Sequence, residues 1–283
     1  MPRHVRLGEF LVGVAGVALM RRMFVGEDED AVERLEEIRA IVSSDDDLYS
    51  LGVDVPVFDA RSGYARWSDT YDQPGNPLIS IEQPAVWSIL DALPPGDALD
   101  AACGTGRHAK RLHELGHRVV GIDGSPDMLG KAKAALPQVD FRVGELTSLP
   151  LEADSVDLAV CALALEHVRD LDGPILELAR VVRPGGRVVV SDLHPVVSSL
   201  GGAAYFQDAG GAAGVVRGYR HLHGDYLRAF RAAGLEVDRC IEPVFGATEA
   251  AMQGPASAFV PRAAEAAYVD LPGALVWELV RPR

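Results

Sequence analysis

From about residue 97 to the C-terminus, short apolar runs alternate with stretches that carry apolar residues at helical spacing. The runs around Leu99, Val119, Phe141, Asp157–Cys161 and Val188–Asp192 are bounded by turn formers and are apolar at successive positions, as strands buried on both faces require. Between them Arg107–Leu115, Pro126–Ala135 and Pro174–Val182 read as helices. Strand–helix alternation of this kind predicts an α/β protein, with a parallel sheet covered by helices on both faces. Val182-Arg-Pro-Gly-Gly-Arg187 stops the third helix and turns the chain into the fifth strand. A further helix, Asp225–Ala233, ends at Gly234, and Leu235–Ile241 and Ala274–Val280 supply two closing strands. Upstream, Tyr64–Asp72 reads as a short helix and Ile79–Leu93 as a longer one, separated by a Pro/Gly turn at Pro74–Pro77. The glycine- and alanine-rich stretch Gly201–Gly214 reads as a loop, with a flap over a site as the alternative.

The first fifty residues follow a different pattern. Asp30–Val42 places Val32, Leu35, Ile38 and Ile41/Val42 at helical spacing. Before it, Arg3 and Arg6 precede the apolar run Phe10–Met20, superficially a secretory signal. The run is about half of a membrane span. It ends in Arg21 and Arg22 instead of a small-residue cleavage site. A buried or interface helix of an intracellular enzyme is therefore expected. The polar break Ser43–Asp47 divides a helical extension, residues 1–47, from a domain at 48–283. The extension either covers the active site or swaps onto a second copy, forming a homo-oligomer, and the sequence does not choose.

The chain has 283 residues and 27 Lys and Arg against 41 Asp and Glu, a net charge of -14. No basic stripe of the kind that grips a phosphate backbone is visible, so no nucleic-acid partner is expected, and no membrane partner either. Cys103, Cys161 and Cys240 show neither metal spacing nor even pairing, which predicts reduced thiols in the cytoplasm. Clustered ligand spacing is absent and no metal is expected. A G-x-S-x-G nucleophile elbow is absent as well.

The densest chemistry lies in LDAACGTG, Leu99–Gly106, followed seventeen residues later by Asp123 at the end of VVGID. Gly104 and Gly106 remove side chains where the chain turns sharply and a ligand approaches the backbone. The helix that starts near Arg107 points unpaired N–H groups at that turn. Asp123 can accept two ribose hydroxyls, each worth about 1.5–3 kcal/mol. Gly104, Gly106 and Ala109 also fit the G-x-G-x-x-G/A turn of nicotinamide-dinucleotide enzymes. Asp100 favours another ligand, because a carboxylate beside the turn repels phosphate and suits an ammonium or sulfonium.

Asp100–Gly106 spells D-x-x-C-G-x-G, and here the chain resembles the class I S-adenosylmethionine-dependent methyltransferases. The resemblance spans about Tyr64 to Arg281, with the Pro-Gly-Gly turn and the pattern Tyr-x-x-Trp-x-x-x-Tyr-Asp at Tyr64–Asp72 as further matches. It implies a Rossmann-like, doubly wound sheet of seven strands with the last antiparallel, S-adenosylmethionine as cofactor, and a small-molecule substrate. Methyltransferases of quinone and bacterial secondary-metabolite pathways, antibiotic biosynthesis included, look most similar. Ligands of such sheets lie beyond the carboxyl ends of the strands, where strand order reverses. The cofactor candidates are accordingly Asp100, Ala102, Gly104 and Gly106 after the first strand, Asp123, Gly124 and Met128 after the second, Glu145 and Leu146 after the third, and Ala162 and Leu163 after the fourth. Glu145 stands where the family more often has Asp. Tyr64, Trp67 and Tyr71 fall within about a 60° sector of one helix face. They are either core or a lid whose aromatic faces attract a sulfonium.

Methyl transfer from a sulfonium is an in-line displacement, in which positioning lowers the barrier by roughly 7–11 kcal/mol at best. A base that removes the acceptor's proton adds about 10²–10⁴-fold. His167, beside Glu166, and His194, in SDLHP beside Asp192, are the catalytic candidates; Asp192, His194 and His223 are candidate substrate contacts, with His221 close by. The same residues would serve an enzyme using the sulfonium for decarboxylation or cyclisation, or a non-catalytic cofactor-binding partner.

Overall fold

The structure, a computed structural model, describes residues 2–44 and 47–283. The chain folds as two compact units, one of residues 58–73, 82–243 and 273–283, the other of 2–57, 74–81 and 244–272.

The larger unit is built on a seven-stranded sheet of β1 (Asp97–Ala101), β2 (Arg118–Asp123), β3 (Asp140–Val143), β4 (Val156–Ala162), β5 (Val182–Leu193), β6 (Glu236–Ile241) and β7 (Ala274–Val280), in the order β6-β7-β5-β4-β1-β2-β3. The first five are parallel, and β7 runs antiparallel to both β5 and β6. The expected fold class is the observed one. Although the strands are apolar at successive positions, they sort their side chains with period two. Val188 and Val190 face one core with Ile175, Leu178, Tyr226 and Phe230, whereas Val189 faces the other with Val86, Leu112 and Leu129. Helices Asp172–Val181 and His223–Ala232 cover the first face. Helices Arg107–Glu114 and Pro126–Ala135 cover the second, with residues 82–90. Glu82, fully buried there, pairs with Arg107 at 2.7 Å and accepts from Ser191.

Three expectations change. The Pro-Gly-Gly turn is an excursion inside β5, since Val156 pairs Val182 and Leu158 pairs Arg187, leaving 183–186 looped out. Gly185 takes φ +87° there. Within Gly201–Gly214 lies most of a hairpin, Ala204–Gln207 paired with Ala213–Val216, where a loop is expected. The first aromatic helix spans Ala60–Trp67 and starts on Asp59, whose carboxylate caps Ser62 N–H, so Tyr71 lies beyond its end.

In the smaller unit the apolar N-terminal run forms helix Leu7–Arg22. Leu11, Val14, Ala15 and Ala18 make one buried stripe at helical spacing, packed with Ile41 and the alanine-rich face Ala256–Ala267. Arg21 donates to the carbonyls of Ala267 and Val269, satisfying the end of helix Pro261–Tyr268. Strands Arg3–Arg6 and Gly52–Val55 pair antiparallel. Of the break Ser43–Asp47, residues 45 and 46 lie outside the described ones. Among the described residues no helix is long and apolar enough to cross a membrane.

Candidate functional site

Strand order reverses at β1 and β4, and the chain beyond their carboxyl ends opens on one cavity of about 250 Å³. Ala102 and Gly104 line it from β1, and Asp123, Gly124, Ser125 and Met128 from β2. Glu145 and Leu146 line it after β3, and Ala162, Leu163 and His167 after β4. Tyr64 and Tyr71 close it from the other side. Eleven of the cofactor candidates thus line one cavity. Asp100, Gly106 and Trp67 do not.

Local geometry explains this sorting. Asp100 is buried and its carboxylate accepts Ala109 N–H at 2.7 Å, holding the positive N-terminus of the helix behind the turn. Burial pushes its carboxyl up to about 7. Gly106 has φ +91°, and a β-carbon there would lie 3.4 Å from Ala132, Leu136 and Phe141. Gly104 has φ +54°, and a β-carbon there would meet nothing within 4 Å. Its bare face is open space.

Asp123 organises the turn. Its two carboxylate oxygens accept Gly104 N–H at 2.8 Å and Ser125 N–H at 2.7 Å, binding the ends of β1 and β2 together. Each oxygen keeps a lone pair. Burial raises its pKa, while the two N–H donors oppose that rise. Glu145 is exposed and held by Arg61 at 2.8 Å. Ala102 and Leu163 take φ +54° and +51°, left-handed backbone in non-glycine residues. Strain of this sort collects where a site is built, and both residues line the cavity.

The aromatic side is ordered by stacking. Trp67 lies between Tyr64 (5.7 Å, 9°) and Phe206 of the hairpin (5.5 Å, 17°), and Tyr71 meets Tyr64 and Trp67 edge-on. Trp67 thereby backs the two tyrosines. Tyr64 Oη lies 2.9 Å from His167 Nε2, and His167 Nδ1 lies 2.9 Å from the carbonyl of Arg217. A carbonyl can only accept, so Nδ1 carries the proton and the phenol donates to Nε2. Burial lowers the His167 pKa and raises that of Tyr64 well above its ordinary value. Behind them Glu166 and Asp192 are both raised, Glu166 by burial and Asp192 by burial and by Glu166; Tyr226 Oη donates to Asp192 at 2.6 Å.

His194 and His223 lie elsewhere. Both imidazoles reach Glu242 Oε1, at 2.9 and 3.0 Å, which gives three ligand-type atoms within 4.8 Å of one another. His194 Nδ1 accepts Val196 N–H at 3.2 Å, so the proton sits on Nε2, the atom a metal would need. Neither nitrogen of His194 is free for a substrate proton in this arrangement. His221 Nε2 lies 2.9 Å from the Val168 carbonyl. Lining residues absent from the sequence candidates include Arg61, Ser125, Ala164 and Val168. Ser125 has a local signal, since Ser-Pro opens a helix and its hydroxyl accepts Met128 N–H. Arg61 has none.

Residues 99–190 match a family described as "Methyltransferase domain". That segment is similar in sequence to methyltransferase domains. The chain is similar to a demethylmenaquinone methyltransferase of Streptomyces avermitilis, 36% identical over 126 residues, 42% of this chain and 54% of that protein. It is also similar to a malonyl-[acyl-carrier protein] O-methyltransferase of Yersinia pestis, 29% identical over 173 residues, 59% of this chain and 58% of that one. The chain spans about half the length of these curated relatives. Among solved structures, an S-adenosylmethionine-dependent methyltransferase from Mesorhizobium loti is 25% identical with a TM-score of 0.54, covering 70% of this chain and 97% of that one. The sheet that carries the cavity is therefore a shared one.

The residues present fit the family's cofactor, S-adenosylmethionine. The open face of Gly104 leaves room at the backbone, and Asp123 has lone pairs to spare. The tyrosine faces suit a sulfonium.

Proposed function

We propose that this protein methylates a small natural-product-type molecule, with Asp123 holding the cofactor's ribose and the Tyr64–His167 pair taking the acceptor's proton. The observation that carries the reading is the convergence of Gly104, Asp123, Leu163 and Tyr64 on one cavity at the sheet's switch point. When bound, S-adenosylmethionine supplies a methyl group activated by its positive sulfur. Gly104 and Asp123 would orient the nucleoside, with Glu145 and Leu146 next along the cavity wall. Tyr64 and Tyr71 exclude water and face the positive charge.

An acceptor hydroxyl or amine in front of Tyr64 can pass its proton to the phenol oxygen as the phenol proton moves to His167 Nε2. The Arg217 carbonyl steadies the imidazolium through Nδ1. His167 starts neutral because burial disfavours its charge. Similarity to relatives named for demethylmenaquinone and malonyl-[acyl-carrier protein] supports a small or carrier-borne acceptor.

The test combines binding and turnover. S-adenosylhomocysteine, the demethylated cofactor, is titrated calorimetrically into the wild type and Asp123→Ala, and methyl transfer from labelled cofactor to a small-molecule extract is followed. The variant is expected to bind at least about tenfold more weakly, having lost charge-assisted bonds. Equal affinities, or a wild type that ignores this ligand and takes up a nicotinamide, would refute the assignment.

A further inference from the structure

A second cavity, of about 480 Å³, is lined by the chain segments Arg169–Leu171 and Gly218–His221 and by Asp225 and Arg228 of helix His223–Ala232. Three arginines and two aspartates line it. Arg228 is neutralised, because its Nη1 lies 2.6 and 2.9 Å from the two oxygens of Asp172. Arg169 and Arg220 differ: neither makes an ion pair among the described residues. The guanidinium of Arg169 lies over the Tyr219 ring at 5.5 Å, which steadies its plane and leaves its N–H edge open. Arg220 has a long contact with Ser199 Oγ, 3.4 Å, which leaves its charge uncompensated. Asp170 and Asp225 each turn one oxygen to a backbone N–H, of Asp172 and Leu222.

Two forked donors beside one cavity match the oxygens of a phosphate or carboxylate better than any neutral group. The position adds a role. His167 and Val168 line the methyl-transfer cavity, and Arg169 begins the lining of the second. Successive residues of one segment thus serve both, and the Arg217 carbonyl, one residue before the second cavity's other wall, orients His167. We propose that the second cavity binds an oxyanion, phosphate or carboxylate, carried by the methyl-accepting substrate. Arg169 and Arg220 would grip that group and direct the remainder of the molecule toward Tyr64 and His167. The inference rests on the methyltransferase reading for its substrate role, while the anion site itself stands on the arginines.

Inorganic pyrophosphate and malonate, titrated calorimetrically into the full chain at low salt, are the probes. Wild type is compared with R169Q/R220Q and with K133Q, a surface control on helix Pro126–Ala135. One or both anions should bind the wild type and K133Q alike, and the double variant about tenfold more weakly, as expected when charge-assisted forks are lost. Preference for pyrophosphate identifies a phosphate-bearing substrate, and preference for malonate a carboxylate-bearing one. S-adenosylhomocysteine should bind all three proteins equally. If neither anion binds the wild type, or the double variant binds as well as the wild type, the anion site is overturned. If S-adenosylhomocysteine fails to bind the wild type, the methyltransferase reading falls whatever the anions do. Thermal unfolding checks that the double variant is folded; if it is not, R220Q alone, which among the described residues gives up only the hydrogen bond to Ser199, should weaken anion binding about threefold.

Discussion

At the scale of the residue, the site turns on which atoms of His167 are already committed. Its Nδ1 proton belongs to a backbone carbonyl, so the lone pair on Nε2 faces Tyr64. Replacing His167 by Gln keeps a side chain of similar reach but removes the base, and turnover should fall about 10²–10⁴-fold while cofactor affinity is held. The wild-type rate should decline on the acid side through a pKa below the ordinary 6.5 of histidine, since burial lowers this one and protonation blocks Nε2. His167→Gln should lose that acid limb; a variant that keeps both rate and limb would remove His167 from the mechanism. His194 offers no such lone pair. The sequence presents His167 and His194 as equals, because a string of letters does not say that Val196 N–H occupies one ring and a carbonyl the other.

At the scale of the element, β2 and β3 are fitted through a glycine. Gly121 carries no side chain because a β-carbon there would run into the Phe141 ring, with Cys103 sulfur at 3.1 Å. Gly121→Ala forces the ring and the strand apart. Overpacking of this kind costs about 1–3 kcal/mol, so the midpoint of chemical unfolding should drop, and an unchanged midpoint would show that the ring swings away freely. The strands, and the helices that follow β1, β2 and β4, were legible from alternation of apolar runs. The aromatic helix was legible only in part. Tyr64, Trp67 and Tyr71 share a helical face on paper, yet the helix stops at Trp67 and Tyr71 reaches the others through a turn. The hairpin inside Gly201–Gly214 escaped because glycine and alanine carry little alternation, and what holds it is Phe206 beneath Trp67.

At the scale of the whole molecule, burial of acids couples stability to pH. Asp192 is buried beside Glu166, and both effects raise its pKa above the unfolded value near 3.9. Between those two values the native state binds the extra proton, so this group's contribution to stability is full at low pH and is lost as pH rises through the folded pKa. Asp192→Asn cannot ionise and keeps an acceptor for Tyr226. Its thermal midpoint should therefore gain on that of the wild type as pH is raised from 5 to 8. A constant difference across that range would mean the carboxyl ionises without cost. The arrangement of charge over the molecule was hidden in the same way, since the net acidity read from composition conceals the unpaired Arg169 and Arg220 that the segments before and after the hairpin bring to one cavity.

The sequence alone determined the sheet class, the glycine turn after β1 and the carboxylate after β2. Each depends on residues close together in the chain, where steric and hydrogen-bonding rules act before any long-range contact forms. Tertiary structure alone decided that Asp100 accepts Ala109 N–H at the helix start and does not line the cavity, that Trp67 backs the tyrosines without lining it, and that Tyr64 meets His167 across 103 residues. Those outcomes depend on packing between distant segments, which side-chain volume and burial settle only when the sheet and its covering helices are in place.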